Sequence, residues 1–457
     1  MKQKFKENLA FVLFVFVLYA VTAGVFVLAV TREHHVVDSL EVVRKGMFVL
    51  LLPLLAKYVF QLACAPFYSV AEKIRKKRWK RDHVPSVTVM IPAWNEEVGI
   101  VKTIKSVLNT GYPDLQIVVI NDGSTDATDQ KVTRFIADSR LEERPHVSLK
   151  YLSLPNGGKA MAMNRGLAHA TGEIIITVDA DSVMDPDAIC NIVKHFTDPK
   201  VGAVAGNVIV GNRKKPIEWM QQMEYLYGFF FKRADSLFNS VYIVGGAAAA
   251  YRREVLREMG GFDHSIITED IEMSTRILSH GYKTCYACDA VVYTEGPSEI
   301  MGLCNQRLRW KHGRLLTFGK HRKLFFSLRR KHNPYLTFLL LPIAIYAEML
   351  LLIEIATLSV FFVYTVLSSD YLPLVLVVVL LSAVVGIQVL IDPKRHLHRN
   401  LLLLAPVAWL VFYAMDMIEF QALVRSLKRL VTRQDLKWQK WVRVGVLDDA
   451  CEMAGRS

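Results

Sequence analysis

The chain has 457 residues, 52% of them hydrophobic, and a formal net charge of +13. Apolar residues gathered into a few long runs exclude an entirely soluble protein. The positive charge does not imply a nucleic-acid partner, because two of its basic runs adjoin apolar segments, and we expect none.

Two apolar segments near the N-terminus predict membrane-spanning helices. Residues 9–30 carry no charge, and a run of that length crosses the roughly 30 Å of hydrocarbon in a bilayer. Residues 46–70 form the second segment, with Lys57 as their only charge. A cleavable signal peptide is the alternative for residues 9–30, but a run this long with a second one close behind favours an anchor.

Basic residues flank the polar middle of the chain on both sides. Residues 73–81 follow the second apolar segment, and residues 313–332 precede the third. By the positive-inside rule both flanks face the cytosol, so we expect a cytosolic domain in a multi-pass protein of the cell membrane, inner or plasma. Anionic membrane lipids are the expected partners of these basic runs.

Residues 84 to about 330 alternate β-rich and helical patterns, which predicts an α/β fold: a parallel sheet with helices on both faces. Polar stretches follow the strands, and ligands bind at the carboxyl ends of such strands, so these stretches predict one site. The stretches are PAWNEE, NDGSTD, NGGKA and DADS. The predicted strands are residues 87–94, 115–122, 147–154 and 173–181, and the predicted helices are residues 97–111, 126–138 and 158–169.

Asp179 and Asp181 lie where the fourth predicted strand stops. A pair of turn residues or a helix cap is the simpler interpretation of a lone DxD. Carboxylates on a rigid strand end suit Mg²⁺ or Mn²⁺, and Mg²⁺ usually combines one or two protein carboxylates with substrate phosphates. The pair therefore predicts a metal site, with Asp181 and Asp179 as ligands, for a phosphate-bearing substrate.

The NGGKA turn predicts a phosphate contact. We expect free backbone N–H groups in the glycine turn and a point charge from Lys159. The turn does not match GxxxxGK[ST], so an NTP-hydrolysing P-loop is not supported, and a nucleoside diphosphate bridged by a metal fits better. Asp122, after the second strand, is interpreted as a contact to a base or ribose, or alternatively as an N-cap.

Two later clusters add candidate residues. Capping explains one acid before the helical pattern that begins after Thr268, but Glu269 and Asp270 are adjacent, which suggests that Asp270 is a general base with Glu269 beside it. Residues 302–314, GLCNQRLRWKHGR, form a basic and aromatic cluster just before the third apolar segment. In isolation that cluster would be interpreted as a membrane-surface helix with an interfacial tryptophan.

PAWNEE, NDGSTD, NGGKA, DAD, TED and QRLRW, in this order and at these spacings, resemble the processive membrane glycosyltransferases of family 2. That family includes the cellulose, chitin, hyaluronan, chitooligosaccharide and poly-N-acetylglucosamine synthases. The resemblance covers residues 84 to about 325 and implies a nucleotide-diphospho-sugar transferase fold (GT-A, Rossmann-like) inserted between transmembrane helices. It implies an inverting, processive transfer from a UDP-sugar to the non-reducing end of a polysaccharide, which then passes through the membrane.

The resemblance also implies a role for each matching residue. An arginine supplies charge where a diphosphate departs, and a tryptophan offers a flat face to a sugar ring. The implied donor contacts are Asp122 with the uracil, Asp179 and Asp181 with the nucleotide and its metal, and Lys159 and Arg309 with the diphosphate; the implied acceptor residues are the base Asp270 with Glu269, and Gln306 and Trp310.

The donor sugar is predicted from resemblances to particular members of the family. The short C-terminal membrane region, and residues 244–263, resemble the enzymes that use N-acetylhexosamines, which favours UDP-N-acetylglucosamine. The residues after Trp310 are KHGR, whereas small residues often follow in the family. A non-processive transferase with a lipid acceptor is the main alternative, an inactive scaffold or transporter is the second, and accessory subunits are possible partners.

Three further apolar segments follow, at residues 335–368, 371–391 and 400–424. Their charged residues should face a wet interior, either an exit path for a polysaccharide or polar contacts between helices. Three spans would leave the basic tail outside, against the positive-inside rule, unless residues 335–368 contain an extra turn or an interfacial helix, or the tail is an exception. The charges are Glu348, Glu354, Asp416 and Glu419, and the predicted domains are residues 1–83, 84–330, 331–424 and 425–457.

Overall fold

The computed structural model describes residues 38–78, 84–139, 146–369, 371–434, 436 and 443–446. The predicted span at residues 9–30 lies outside the described residues. The second predicted span forms helix α1 (Asp38–Arg78), which extends beyond residues 46–70 at both ends. The later part of α1 lies against the globular domain, where the Tyr68 hydroxyl donates to the carbonyl oxygen of Tyr286 at 2.6 Å.

A mixed sheet of eight strands forms the centre of the domain. The strands are β1 (Val87–Ala93), β2 (Leu115–Asp122), β3 (Val147–Leu154), β4 (Ile174–Thr177), β5 (Ser182–Met184), β6 (Val201–Val210), β7 (Ala249–Arg252) and β8 (Lys283–Thr294). Their order across the sheet is β3-β2-β1-β4-β7-β6-β8-β5.

The predicted parallel arrangement is confirmed for β1 to β4, which pair side by side in parallel. The other half of the sheet is mixed, because β7 is antiparallel to β4 and β6, and β5 is antiparallel to β8. The strand predicted at residues 173–181 ends earlier, because β4 stops at Thr177, and a separate short strand, β5, begins at Ser182. A parallel neighbour needs a crossover of about a dozen residues, so β5 joins the far edge of the sheet instead.

Helices cover both faces of the sheet, as the alternating pattern predicts. Ile104 of α2 and Val132 of α3 belong to the buried cluster on one face, and Met163 of α4 and Ile277 of α8 belong to the cluster on the other. The domain helices are α2 (Ile100–Leu108), α3 (Thr128–Asp138), α4 (Lys159–Leu167), α5 (Ala188–Val193), α6 (Pro216–Leu237), α7 (Arg253–Glu258), α8 (Glu269–Ser279) and α9 (Ile300–Lys320).

Four helices in the described part of the chain are long and apolar enough to cross a membrane: Lys45–Arg75, Tyr335–Ser368, Leu372–Ile391 and Arg395–Thr432. The first C-terminal segment contains no extra turn, since a π-helical stretch at Tyr335–Leu340 continues directly into α10. Large apolar side chains such as Phe48 and Val363 are exposed on these helices. The C-terminal helices are α10 (Leu341–Ser368), α11 (Leu372–Ile391), α12 (Arg399–Leu404) and α13 (Ala408–Thr432).

The last apolar segment contacts the globular domain at both ends. At its start, the Leu397 carbonyl accepts a hydrogen bond of 2.9 Å from Gln222 of α6. Midway, the Ala405 carbonyl accepts a hydrogen bond of 2.9 Å from Ser382, in the middle of α11. From there α13 packs along α9, and residues 443–446 lie on the domain again. The segment therefore begins and ends beside the same domain.

Candidate active site

A cavity of about 1650 Å³ connects the carboxyl ends of the parallel strands with the membrane-side helices. Its far end is lined by apolar side chains such as Leu54 of α1, Leu358 of α10 and Val377 of α11. Its domain end contains all the site residues predicted from the sequence: Asp122, Lys159, Asp179, Asp181, Glu269, Asp270, Gln306, Arg309 and Trp310. The fold thus brings Asp122 and Trp310, nearly 190 positions apart in the sequence, to the same cavity.

The NGGKA turn is held by Asp122. Its carboxylate accepts the backbone N–H groups of Gly157 (2.9 Å) and Gly158 (2.8 Å), and its carbonyl accepts the Asn156 side chain (2.8 Å). The expectation of free backbone N–H groups in this turn is therefore wrong, because a carboxylate at the end of β2 already satisfies them. Close packing explains Gly123: a Cβ there would lie 2.6 Å from the Asn156 nitrogen.

Lys159, at the start of α4, pairs with two acids. Its Nζ lies 2.7 Å from Asp179 Oδ1 and 3.1 Å from Glu269 Oε1. Burial alone would lower the pKa of Lys159, but the charges of Asp179, Glu269 and Asp270 raise it well above its usual value. The lysine is therefore a fixed positive charge between the DxD pair and the TED acids.

Asp270 lies in the first turn of α8 and is oriented by backbone groups. Its Oδ2 accepts the N–H of Gly246 at 2.7 Å, and its Oδ1 accepts the N–H of Ile271 at 2.8 Å. A Cβ on Gly246 would lie within 4 Å of Lys159 Nζ, Asp270 Oδ2 and Asp179 Oδ1. Gly246 thus occupies the point where these three side chains converge, and any larger residue would fill it.

Asp181 pairs with Arg443, a residue of the C-terminal tail. Arg443 Nη1 lies 2.6 Å from Asp181 Oδ2, and Arg443 Nη2 lies 2.6 Å from Glu96 Oε1. The tail is anchored here because the N–H groups of Val444 and Gly445 donate to the Glu295 carboxylate at 2.7 and 2.9 Å. Each aspartate of the DxD pair is thus in contact with a different cation.

Helix α9 presents Gln306, Arg309 and Trp310 to the cavity. Burial and the nearby charge of Arg443 lower the pKa of Arg309 to about 10, against the opposing effect of Asp179. The side-chain oxygen of Gln306 is buried and has no hydrogen-bond partner within the described ranges. Trp310 is half-buried, so a ring face can meet a ligand.

The position of α9 is fixed by a close contact with the TED loop. A Cβ on Gly313 would lie 2.0 Å from the Thr268 hydroxyl oxygen and 2.7 Å from its Cβ. Only glycine allows α9 to approach the residue before Glu269 and Asp270 so closely. The two clusters that the sequence separates by about 36 positions therefore share one packing contact.

The residues present fit a divalent metal only in part. The described residues include no group of three or more His, Cys, Asp or Glu side chains placed to hold one. Asp179 and Asp181 nevertheless face the cavity, and both already contact cations. Two carboxylates suit Mg²⁺ or Mn²⁺ when substrate phosphates supply the other ligands.

Three residues of the site were not singled out from the sequence. Gly246 lies within residues 244–263, where the resemblance pointed to a segment and not to a residue. Arg443 lies in a basic tail without a motif, and Lys232 is a single lysine in α6. Burial lowers the pKa of Lys232 to about 8, while the charges of Asp235 and Asp270 oppose that shift.

Fold and site together define a nucleotide-sugar-binding domain of the glycosyltransferase type. Residues 85–313 match the model of the glycosyltransferase-like family 2, and the chain therefore belongs to that family. A mannosyltransferase from Pyrobaculum calidifontis, solved with GDP-mannose and Mn²⁺, superimposes with a TM-score of 0.50 and 24% identity, covering 84% of this chain and 100% of that one. That likeness concerns the GT-A fold alone.

The chain is also similar to poly-β-1,6-N-acetyl-D-glucosamine synthases of staphylococci. It is 30% identical to the Staphylococcus epidermidis protein over 274 residues, which cover 58% of this chain and 64% of that protein. It is 30% identical to the Staphylococcus aureus protein over 236 residues, which cover 51% and 55% of the two chains. The matched region spans less than two thirds of either relative.

Proposed function

We propose that the protein is an inverting, processive β-glycosyltransferase that extends a polysaccharide from a UDP-sugar and passes it into the membrane. One observation carries this proposal: a single cavity runs from the cluster around Asp270 to apolar side chains of three membrane-type helices. A transferase that released a small product to the cytosol would have no need for a cavity of that extent.

The donor would bind at the strand ends. Lys159, which is half-buried, and Arg309, which is buried, place positive charge on the side of Asp179, where a diphosphate carries its charge. Asp122 supports the turn beside the base. Asp179 and Asp181 would hold a Mg²⁺ or Mn²⁺, which would neutralise charge on the diphosphate as it leaves. Arg443 contacts Asp181, so the donor and the C-terminal tail would both bind at this carboxylate.

The acceptor hydroxyl would lose its proton to Asp270. Glu269 is the weaker candidate because it is buried, and its Oε1 pairs with Lys159 at 3.1 Å. Burial raises the pKa of Glu269, with the Lys159 charge acting against that shift. Asp270 instead faces the cavity with one oxygen fixed by Gly246, which is the geometry that a general base requires.

The acceptor sugar would stack on Trp310, and Gln306 lies one turn earlier on the same helix. The side-chain oxygen of Gln306, which has no hydrogen-bond partner among the described residues, can accept a hydrogen bond from a sugar hydroxyl or an acetamido N–H. N-acetylglucosamine is our favoured sugar, as the names of the staphylococcal relatives also suggest. Those names make β-1,6 the first linkage to test.

The catalytic domain would face the cytosol in a multi-pass membrane protein. Since the last apolar segment begins and ends beside the domain, we propose that only α10 and α11 cross the membrane in the C-terminal region. The basic tail then lies on the cytosolic side, in agreement with the positive-inside rule. Membrane lipids would contact the exposed apolar faces, and accessory subunits remain a proposal.

The function is tested with full-length protein in nanodiscs, Mg²⁺ or Mn²⁺, and a panel of radiolabelled UDP-sugars. We expect long, alkali-stable polymer from UDP-N-acetylglucosamine and a loss of about 10²–10⁴-fold in rate in Asp270→Asn, which is the contribution of a general base. Asp138→Asn, a change at an exposed surface position, is the matched control. Label confined to a small lipid-extractable product would replace this function with transfer to a lipid, and no incorporation from any donor would contradict both.

A further inference from the structure

Six charged side chains, three of them buried and three half-buried, form an ion network between α9 and three neighbouring helices. The cations share one face of α9 because they are spaced four and three residues apart. The carboxylates come from three different helices, α6, α10 and α13, so the network joins the domain to the membrane segments. Its members are the cations Arg307, Lys311 and Arg314 and the carboxylates Glu224, Glu348 and Glu419.

Arg307 is the most enclosed member of the network, with a side-chain exposure of 0%. It pairs with Glu224 of α6, and its Nε lies 3.2 Å from Glu419 Oε1 of α13. Its guanidinium carbon lies 4.1 Å from the ring centroid of Trp310. The indole is therefore contacted by a cation that pairs with two carboxylates. The Tyr225 ring also lies beside it, with ring centroids 6.4 Å apart, and the rest of the half-buried indole lines the cavity.

The remaining contacts distinguish Glu348 from Glu419. Lys311 Nζ lies 2.7 Å from Glu348 Oε2 and 2.9 Å from Glu419 Oε2, so both acids share this lysine. Glu348 completes its contacts with Arg314, whereas Glu419 completes its contacts with Arg307. Only Glu419 therefore connects the last apolar helix to the arginine that lies on Trp310.

Stability alone is a weak explanation for such a network. Removing charges from water is costly, and apolar replacements of a buried ion pair are often as stable. A carboxylate in an apolar helix is better explained by the geometry that it imposes. Here that geometry is the orientation of the planar Arg307 guanidinium, which donates a hydrogen bond to Glu224 and lies at ion-pair distance from Glu419.

We propose that Glu419 is a positioning residue for the acceptor: through Arg307 it fixes the ring plane of Trp310 on which the acceptor sugar stacks. This inference rests on the proposed function. Loss of the Glu419 charge lets Arg307 turn towards Glu224 alone, so the indole loses its fixed orientation. Within the described ranges, the donor residues Lys159, Asp179 and Asp181 form their ion pairs with partners other than Glu419, so they keep their arrangement.

The test compares Glu419→Gln with Glu348→Gln in full-length protein in nanodiscs. Elongation of a short N-acetylglucosamine oligosaccharide is measured while primer and UDP-N-acetylglucosamine are varied separately. For Glu419→Gln we expect the KM for the primer to rise about tenfold and the KM for the donor to change less than about twofold. For Glu348→Gln, which keeps both partners of Arg307, we expect the smaller change in primer KM.

Equal effects of the two variants, or a parallel rise of primer and donor KM, would overturn the inference while leaving the proposed function standing. Absence of elongation by the unchanged protein would instead refute the proposed function. If Glu419→Gln fails to accumulate, Arg307→Lys replaces it, since lysine keeps the charge but not the planar contact with Trp310. The expected result is the same selective rise in primer KM, and Glu419→Asp should partly restore the unchanged value.

Discussion

At the scale of single residues, the site is organised by cations that lie on the acids of the DxD and TED motifs. Lys159 is shared by Asp179 and Glu269, and Arg443 is shared by Asp181 and Glu96. Burial by itself would lower the pKa of Arg443, but Asp181 and Glu96 raise it above its usual value. Both cations stay charged at any working pH, so the site is prepared for an anionic group.

Arg443→Met should raise the KM for the UDP-sugar. The variant removes a buried charge beside Asp181, and one charge-assisted contact of this kind corresponds to about tenfold in affinity. The KM is measured by UDP release with primer at saturation. Lys428→Met, a change at an exposed position of α13, serves as the control. A donor KM equal to that of the control would show that Arg443 does not meet the donor.

At the scale of elements, the site depends on how α8 and α9 approach each other. The first turn of α8 carries Glu269 and Asp270, and α9 carries the QRLRW residues. Gly313 is the contact point between them, because a Cβ there would overlap Thr268. Helix propensity favours alanine over glycine in a helix interior, so glycine at this position reflects packing and not local preference.

Gly313→Ala should lower elongation activity strongly, by about tenfold or more, since a displacement of 1 Å can cost about 10²-fold in rate. The matched control is Gly319→Ala on the same helix, where a Cβ would meet nothing within 4 Å. We expect the control to keep its activity and to gain slightly in stability. Activity is compared at equal amounts of folded protein, and similar losses in both variants would contradict the packing argument.

The contact between Glu272 of α8 and the C-terminal end of α9 should stabilise the fold in a way that depends on pH. Burial would raise the pKa of Glu272, but His321, Lys320 and Arg276 lower it to about 2. Since the folded pKa lies below the unfolded value of about 4.3, the stabilisation is present above that pH and is lost as the pH falls towards 2.

Glu272→Gln should therefore lower the melting temperature at pH 7, by an amount equivalent to about 2 kcal/mol. The difference from the unchanged protein should narrow as the pH is lowered from 5 to 3. Melting is followed by intrinsic fluorescence in detergent, with Glu258→Gln, at an exposed position, as the control. A difference that stays constant with pH would show that the ionised form of Glu272 is not the source of the stability.

At the scale of the whole molecule, the question is which side of the membrane each segment faces. Leu397 and residues 443–446 both lie against the globular domain. Leu397 is near the start of the apolar segment Arg395–Thr432, and residues 443–446 follow its end. A straight crossing would place them on opposite sides. From these contacts we predict that the segment enters the membrane and returns to the side of the globular domain.

Cysteine accessibility tests this topology. Single cysteines are compared at Cys190, which is exposed in the domain, at Tyr371→Cys between α10 and α11, and at Val444→Cys in the tail. With a membrane-impermeant maleimide on intact cells we expect labelling of Tyr371→Cys only. Inside-out vesicles should give the reverse pattern. Labelling of Val444→Cys from outside would mean that the last segment crosses the membrane.

The sequence by itself determined the first half of the sheet and the identity of the strand-end residues. Hydrophobic runs that end in Asp, Asn, Gly and Lys are local patterns, and β1 to β4 follow them because each strand is joined to the next by a helix of crossover length. The same locality explains the membrane segments, whose length and apolar content are read directly from the chain.

Only the tertiary structure decided the contacts between distant segments. Asp122 satisfies the NGGKA turn, Gly246 and Arg443 complete the site, and Glu419 is linked to Trp310 through Arg307. No local pattern encodes these pairs, because each depends on how the sheet, α9 and the membrane helices pack together. The contacts of the last apolar segment with the domain were likewise decided by packing, since hydropathy measures length and polarity but not direction.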